Sequence, residues 1–109
     1  MKDRSKPRYI DFMRPVGMDG PIKIGCSYRP ASRLIALAVW SPFPLEIIAV
    51  APGDFGTERA LHERFAAELF HNEWFHASPR LKAVCAALKQ NVPLESALRL
   101  ADEPNEAAA

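Results

Sequence analysis

Runs of apolar residues, broken by proline and glycine, lay out the elements of this chain in order. Tyr9 to Met13 has the aromatic and aliphatic content of a short strand. Pro15 to Pro21 gathers glycine and proline around Asp19-Gly20, which marks a tight reversal. Ile22 to Cys26 predicts a second strand, with Lys23 in its alternation. The two strands lie close in sequence, so an antiparallel hairpin is expected. Helical spacing takes over at Ser27, with Pro30 in the first turn and Arg33, Leu34, Leu37 and Ala38 following. Ser41-Pro-Phe-Pro44 stops that helix. Leu45 to Ala51 has the length and β-branched content of a buried strand.

A turn at Pro52 to Gly56 leads to Thr57, the expected N-cap of a helix running to about Phe70. Leu61, Phe65, Ala66 and Leu69 form its apolar stripe, and Glu58 and His62 sit beside that stripe. Glu73-Trp-Phe75 follows a loop around His71-Asn72. Ser78 then caps a helix with Pro79 at its first position, and Leu81, Val84, Cys85 and Leu88 make its buried face. Asn91-Val-Pro93 ends it, and a short last helix covers Leu94 to Leu100. The order β-β-α-β-α-α predicts a compact α/β (α+β) domain, with three strands and helices packed on them.

Composition agrees with a single domain: 109 residues, 49% hydrophobic and 25% charged. Residues 1–8 read as a flexible basic arm, 9–90 as the domain, and 91–109 as a short helix with a disordered tail. The longest apolar run, Leu34 to Trp40, is far short of the roughly 20 residues of a membrane span. The charged N-terminus has no apolar region behind it, so no secretory signal and a cytoplasmic location are expected. Cys26 and Cys85 belong to no paired-ligand spacing, which gives zinc no support. They read as reduced, buried thiols.

Net charge is only +1, but its distribution is uneven. Residues 1–35 carry eight Lys/Arg against three Asp/Glu, and residues 36–109 carry six against ten. A basic first third can supply a phosphate-facing surface, or simply a solvated arm. Lys23, Arg29 and Arg33 are its candidate nucleic-acid contacts.

The order of these elements, and the motifs on them, resemble the GIY-YIG endonuclease superfamily. The likeness is strongest to its short single-domain branch, common in phages and bacteria. Pro21-Ile-Lys-Ile-Gly25, Ser27, Arg33-Leu34, Pro44-Leu-Glu46, Glu58-x-x-Leu61-His62-x-x-Phe65 and Glu73-Trp-Phe75 carry the resemblance, over roughly residues 9 to 88. It implies a small three-stranded antiparallel sheet with helices around it. It also implies hydrolysis of a DNA phosphodiester with one divalent metal, Mg²⁺ or Mn²⁺. Glu58 then matches the metal-binding glutamate, Arg33 the helix arginine that meets the phosphate, and Gly25 the glycine closing the second motif. Lys23 falls where many members have that motif's tyrosine. The first-motif tyrosine has no clear counterpart: Asp11 holds its position, and Tyr9 lies two residues earlier on the same strand face.

Each candidate has a plainer reading beside the catalytic one. Glu58 is either the ligand of a hard cation or a first-turn glutamate that favours the helix dipole. Arg33 makes paired hydrogen bonds to phosphate or is a surface arginine. Lys23 assists the phosphate, or acts as base, or points to water. His62 relays a proton or caps a core edge. Tyr9 as general base requires neighbouring cations to lower an ordinary pKa of about 10. Asp11 is a second metal ligand or an edge residue. Phe65, Trp74 and Phe75 are expected in the core. Three readings therefore stand: a DNA-cleaving enzyme, the same fold with decayed catalysis that binds nucleic acid or protein, or an antitoxin-like or structural phage protein with no nucleic-acid contact.

Overall fold

The computed structural model describes residues 6–102. The expected flexible arm, residues 1–8, lies outside the described residues at positions 1–5, and the expected disorder of Asn105 to Ala109 lies wholly outside them. Five strands form one antiparallel sheet in the order β3-β1-β2-β5-β4. They are β1 (Tyr9–Pro15), β2 (Ile22–Ser27), β3 (Leu45–Pro52), β4 (Leu69–His71) and β5 (Trp74–Phe75). Four helices complete the fold: α1 (Pro30–Ala38), α2 (Phe55–Arg64), α3 (Pro79–Lys89) and α4 (Leu94–Asp102).

The expected three-stranded sheet is therefore corrected to five strands. Helix α2 does not reach Phe70; it ends at Arg64, and a single 3-10 turn, Ala66–Glu68, leads into β4. A two-residue turn, Asn72-Glu73, then reverses the chain, with Asn72 at φ 55°. Asparagine tolerates that left-handed conformation better than most residues. Strands of three and two residues are too short to show an alternating pattern. That is why Leu69 read as part of a helical stripe, although it is exposed.

Two helix starts also move. Ser27 is the last residue of β2 and not a helix start, because it pairs with Tyr9 across the hairpin. Asp54, not Thr57, caps α2: its carboxylate accepts the Thr57 N–H at 3.0 Å, and the Thr57 hydroxyl accepts the Asp54 N–H at 3.2 Å. This reciprocal capping box contributes about 1 kcal/mol. Ser78 and Pro79 start α3 as expected.

Strand alternation divides the sheet into two unlike faces. Ile10, Phe12, Ile22, Ile24, Ala49 and Ala51 meet Leu61, Phe65, Leu81, Val84 and Leu88 from the helices in one buried cluster. Helix α4 adds Ala97 and packs on α3. Both cysteines are buried and free, and burial pushes the Cys85 thiol up to about 12. The opposite face carries Asp11, Met13, Lys23, Gly25 and Ser27, brought together by the register Asp11↔Gly25 and Met13↔Lys23. Helix α1 lies across it and buries no residue of its own. A helix with so little apolar burial is held in part by polar contacts, and Arg33 supplies them.

Glu68 ties the 3-10 turn to α3. Its carboxylate accepts from the Ser78 hydroxyl at 2.8 Å and from Arg80 at 2.8 and 3.2 Å. Arg80 holds this carboxyl below the ordinary glutamate range. A lowered folded pKa contributes stability above the unfolded value and loses it as pH falls through the folded one. Glu68→Gln should therefore cost on the order of 1 kcal/mol near neutral pH. The deficit should shrink below about pH 4.5. Urea unfolding at several pH values measures it, and a pH-independent deficit would contradict the assignment.

Candidate active site

The candidate site lies where β2 loses its strand partner. Strand β5 pairs only with Ile22 and Lys23, and the last bond of that edge runs from the Ile24 N–H to the Glu73 carbonyl at 3.1 Å. Beyond it α2 packs against the edge. Its His62 places Nε2 at 3.0 Å from the Ile24 carbonyl oxygen. A carbonyl only accepts, so His62 donates through Nε2, and this bond leaves its Nδ1 uninvolved. The imidazole also meets the Phe75 ring edge-on, with centroids 5.1 Å apart. His62 thus seals a core edge, one of the two readings its position allowed.

Four charged side chains meet across the α1-covered face. Arg33 reaches down from α1, and its Nε donates to Asp11 Oδ1 at 3.3 Å. Its Nη2 donates to Glu73 Oε1 at 3.2 Å. The same Glu73 oxygen accepts from Lys23 Nζ at 3.1 Å. Asp11 has no exposed surface and accepts a second bond from the Ser27 hydroxyl at 3.2 Å. Asp11 is therefore neither an edge residue nor an exposed ligand; it is the buried anchor that orients the arginine. Burial pushes its carboxyl above the ordinary value, partly offset by Arg33 and Ser27.

Glu58 enters from the first turn of α2, half-buried, and lines one groove of about 610 Å³ with His62 and Glu73. Burial raises its carboxyl above the ordinary range, and the nearby charge of Glu73 raises it further. His62 and Arg33 are close enough to oppose that rise. At Glu73 burial acts in the same direction, but Lys23 and Arg33 outweigh it and hold that carboxyl low. Glu73 thus links two pairs of residues singled out in the sequence: Glu58 and His62, which line the groove with it, and Lys23 and Arg33, which bond it from outside the groove lining. Among the described residues no three His, Cys, Asp or Glu side chains are arranged to hold a metal ion.

The other candidates lie further out. Tyr9 stands at the start of β1 opposite Ser27 and Pro52; it neither lines the groove nor bonds Glu73 as Lys23 and Arg33 do. Arg29 is exposed at the N-cap of α1, and its carbonyl accepts the Arg33 N–H at 3.0 Å. Trp74 does not join the core as expected. Phe65 and Phe75 do, but Trp74 is half-buried with Lys23 Nζ 5.3 Å from its ring centre. Glu73 joins the cluster although the sequence gave it no role beyond a shared motif, and Asp11, read as a second metal ligand or an edge residue, is the buried partner of Arg33. An aspartate inside an otherwise apolar strand was the available signal for Asp11. Glu73 gave none, since its contacts depend on the β4–β5 turn.

Gly25 is required here for space. A Cβ at this position would stand 2.1 Å from Arg33 Nη2 and 2.6 Å from its Cζ, so the guanidinium lies directly over the glycine. The obstacle is the far end of a flexible side chain, so Gly25→Ala should fold with Arg33 displaced. Loss of function should then exceed loss of stability, read by comparing DNA affinity with the melting temperature. Unchanged affinity would mean that the arginine's seat over Gly25 is unimportant.

The T5orf172 domain profile matches residues 8–91. The chain belongs to the T5orf172 domain family. This is a family of small domains found in phage proteins and associated with nuclease-like folds. The match spans β1 to the end of α3, so every residue of the charged cluster lies within the family domain. No curated protein and no solved structure matches the chain. No helix among the described residues is long and apolar enough to cross a membrane.

Proposed function

We propose that this T5orf172 domain is a GIY-YIG-type endonuclease that binds DNA and hydrolyses its phosphodiester bonds with a divalent metal. The observation carrying this reading is that Arg33 and Lys23 both bond Glu73, which lines one groove with Glu58 and His62 where β2 loses its strand partner.

The donor chemistry fits a hard cation. Glu58 offers oxygen, and Mg²⁺ is commonly held by one or two carboxylates, with water and phosphate oxygens completing its shell. The charge balance also fits. Asp11, Glu58 and Glu73 oppose Arg33 and Lys23, and Arg59 and Glu63 on the groove wall cancel, so the site carries a formal −1 before any phosphate arrives. When bound by Glu58, Mg²⁺ or Mn²⁺ would neutralise phosphate charge and assist departure of the leaving oxygen.

The protein's own residues supply the rest. Arg33 binds a phosphate oxygen with the planar guanidinium that Asp11 holds in place. Lys23 adds a second cation beside it. Glu73, shared between the two, keeps both oriented before substrate arrives. His62 accepts a proton at Nδ1 from the attacking water, a role its Nε2 bond to Ile24 leaves open. This proton transfer does not require the first-motif tyrosine, whose place Asp11 has taken.

Supercoiled plasmid and branched DNA, incubated with the chain and Mg²⁺ or Mn²⁺, test the proposal, with chelator and Glu58→Gln as controls. Metal-dependent scission absent from the variant is expected. Equal background in every lane would remove the enzymatic reading. Salt-sensitive DNA binding without scission would select the decayed binding module instead.

A further inference from the structure

A second groove, of about 640 Å³, opens on the other side of Lys23 and Trp74. Its size is that of a site for a planar organic group. Its walls are apolar and rich in aromatic rings: Trp40, Phe43, Phe70 and Trp74. Trp40 is 86% exposed, Phe70 58% and Phe43 52%, which is unusual for rings this large unless something covers them. Among the described residues that line it, Lys23 and His71 are the basic groups and no carboxylate is present. Lys23 is also a member of the phosphate cluster through Glu73. The aromatic groove therefore adjoins the charged cluster at Lys23.

We propose that this groove takes unpaired nucleobases next to the phosphate held by Arg33 and Lys23, so that the substrate is DNA with single-stranded character at the cut site. The inference rests on the endonuclease reading above. Stacked bases of an intact duplex hide their flat faces, so exposed rings such as Trp40 and Phe70 have nothing to grip there. Unpaired bases offer a π-face to any aromatic side chain, whatever their sequence. With no carboxylate in its lining the groove does not repel a phosphate backbone, and its rings match the flat faces of unpaired bases, which an acidic peptide does not offer. Flaps, branch points and frayed ends are the DNA forms with the required unpaired bases.

Binding by the full chain, with EDTA present to prevent scission, tests this. Three labelled probes of equal length are compared by fluorescence anisotropy: oligo-dT, its abasic sugar-phosphate counterpart, and a blunt duplex. Oligo-dT should bind about tenfold or more tightly than the abasic strand, as expected for one stacked base. It should also quench the emission of Trp40 and Trp74. Trp40→Ala and Phe70→Ala, both at exposed positions, should erase the preference while leaving abasic affinity and melting temperature unchanged. Trp40→Phe should keep most of it. Equal affinity for base-bearing and abasic strands would overturn the proposal while leaving the phosphate site intact. Absence of salt-sensitive binding to all three probes would overturn both readings. Sedimentation showing a dimer that Trp40→Ala converts to monomer would assign the groove to a second copy of the chain and also overturn it.

Discussion

Glu58→Gln should reduce DNA scission by on the order of 10²–10³-fold, the usual loss when one contact to developing charge is removed. The change keeps the side chain's size and its place in the first turn of α2. Thr57, not Glu58, completes the capping box with Asp54, so the helix start is untouched. Burial already disfavours the charged form of Glu58, and Glu73 adds a like charge beside it. Removing the carboxylate therefore relieves a repulsion, and the melting temperature should hold or rise slightly. The formal charge of the cluster moves from −1 to neutral, so affinity for DNA without metal should increase. Lost scission together with retained or stronger binding would be the signature of a cation-holding group. If scission persists within tenfold of the parent, the metal ligand lies elsewhere. If stability collapses instead, Glu58 is a structural residue.

The sequence carried the large elements well, because each had its own periodic or chemical marker. Ile10 and Phe12, Leu61 and Phe65, and Leu81, Val84, Cys85 and Leu88 fell on the buried face as their spacing predicts. Pro79 after Ser78, and Pro30, marked two helix starts. What stayed illegible was set by contacts between distant segments. Strands β4 and β5 have five residues between them, too few for any pattern, and β5 forms by pairing with Ile22 and Lys23. Glu73 becomes a bridge between Lys23 and Arg33 only because that short hairpin docks on β2. The same docking turns Trp74 outward, although its neighbour Phe75 is buried. Asp11 broke the apolar rhythm of β1 visibly, but its partner stands 22 positions away on a helix. A buried charge announces that it has a partner; it does not announce which one.

The pairing of Asp11 with Arg33 leads to the expected result of deleting the arginine. Arg33→Ala should abolish scission and also destabilise the fold by about 3–5 kcal/mol, because it leaves an inaccessible carboxylate with only the Ser27 hydroxyl for company. The sign of the pH dependence separates this cause from ordinary loss of packing. Asp11 in the folded chain titrates above its ordinary value of 3.8, so the folded state takes up a proton more readily than the unfolded one. Ionised Asp11 therefore opposes folding above its folded pKa, and the opposition fades as pH falls through it. Arg33 works against that rise, so its removal enlarges the penalty and lets the relief begin at higher pH. The deficit of Arg33→Ala against the parent should thus be largest near neutrality and shrink on acidification. Adding Asp11→Asn should recover much of the lost stability, since the amide needs no counter-charge, yet leave scission absent. A double-mutant cycle read by denaturant unfolding gives the coupling directly. A variant that loses activity but matches the parent in stability at every pH would show that the buried carboxylate does not depend on the arginine. The anchoring role assigned to Asp11 would then fall, leaving the phosphate-binding role of Arg33 to stand alone.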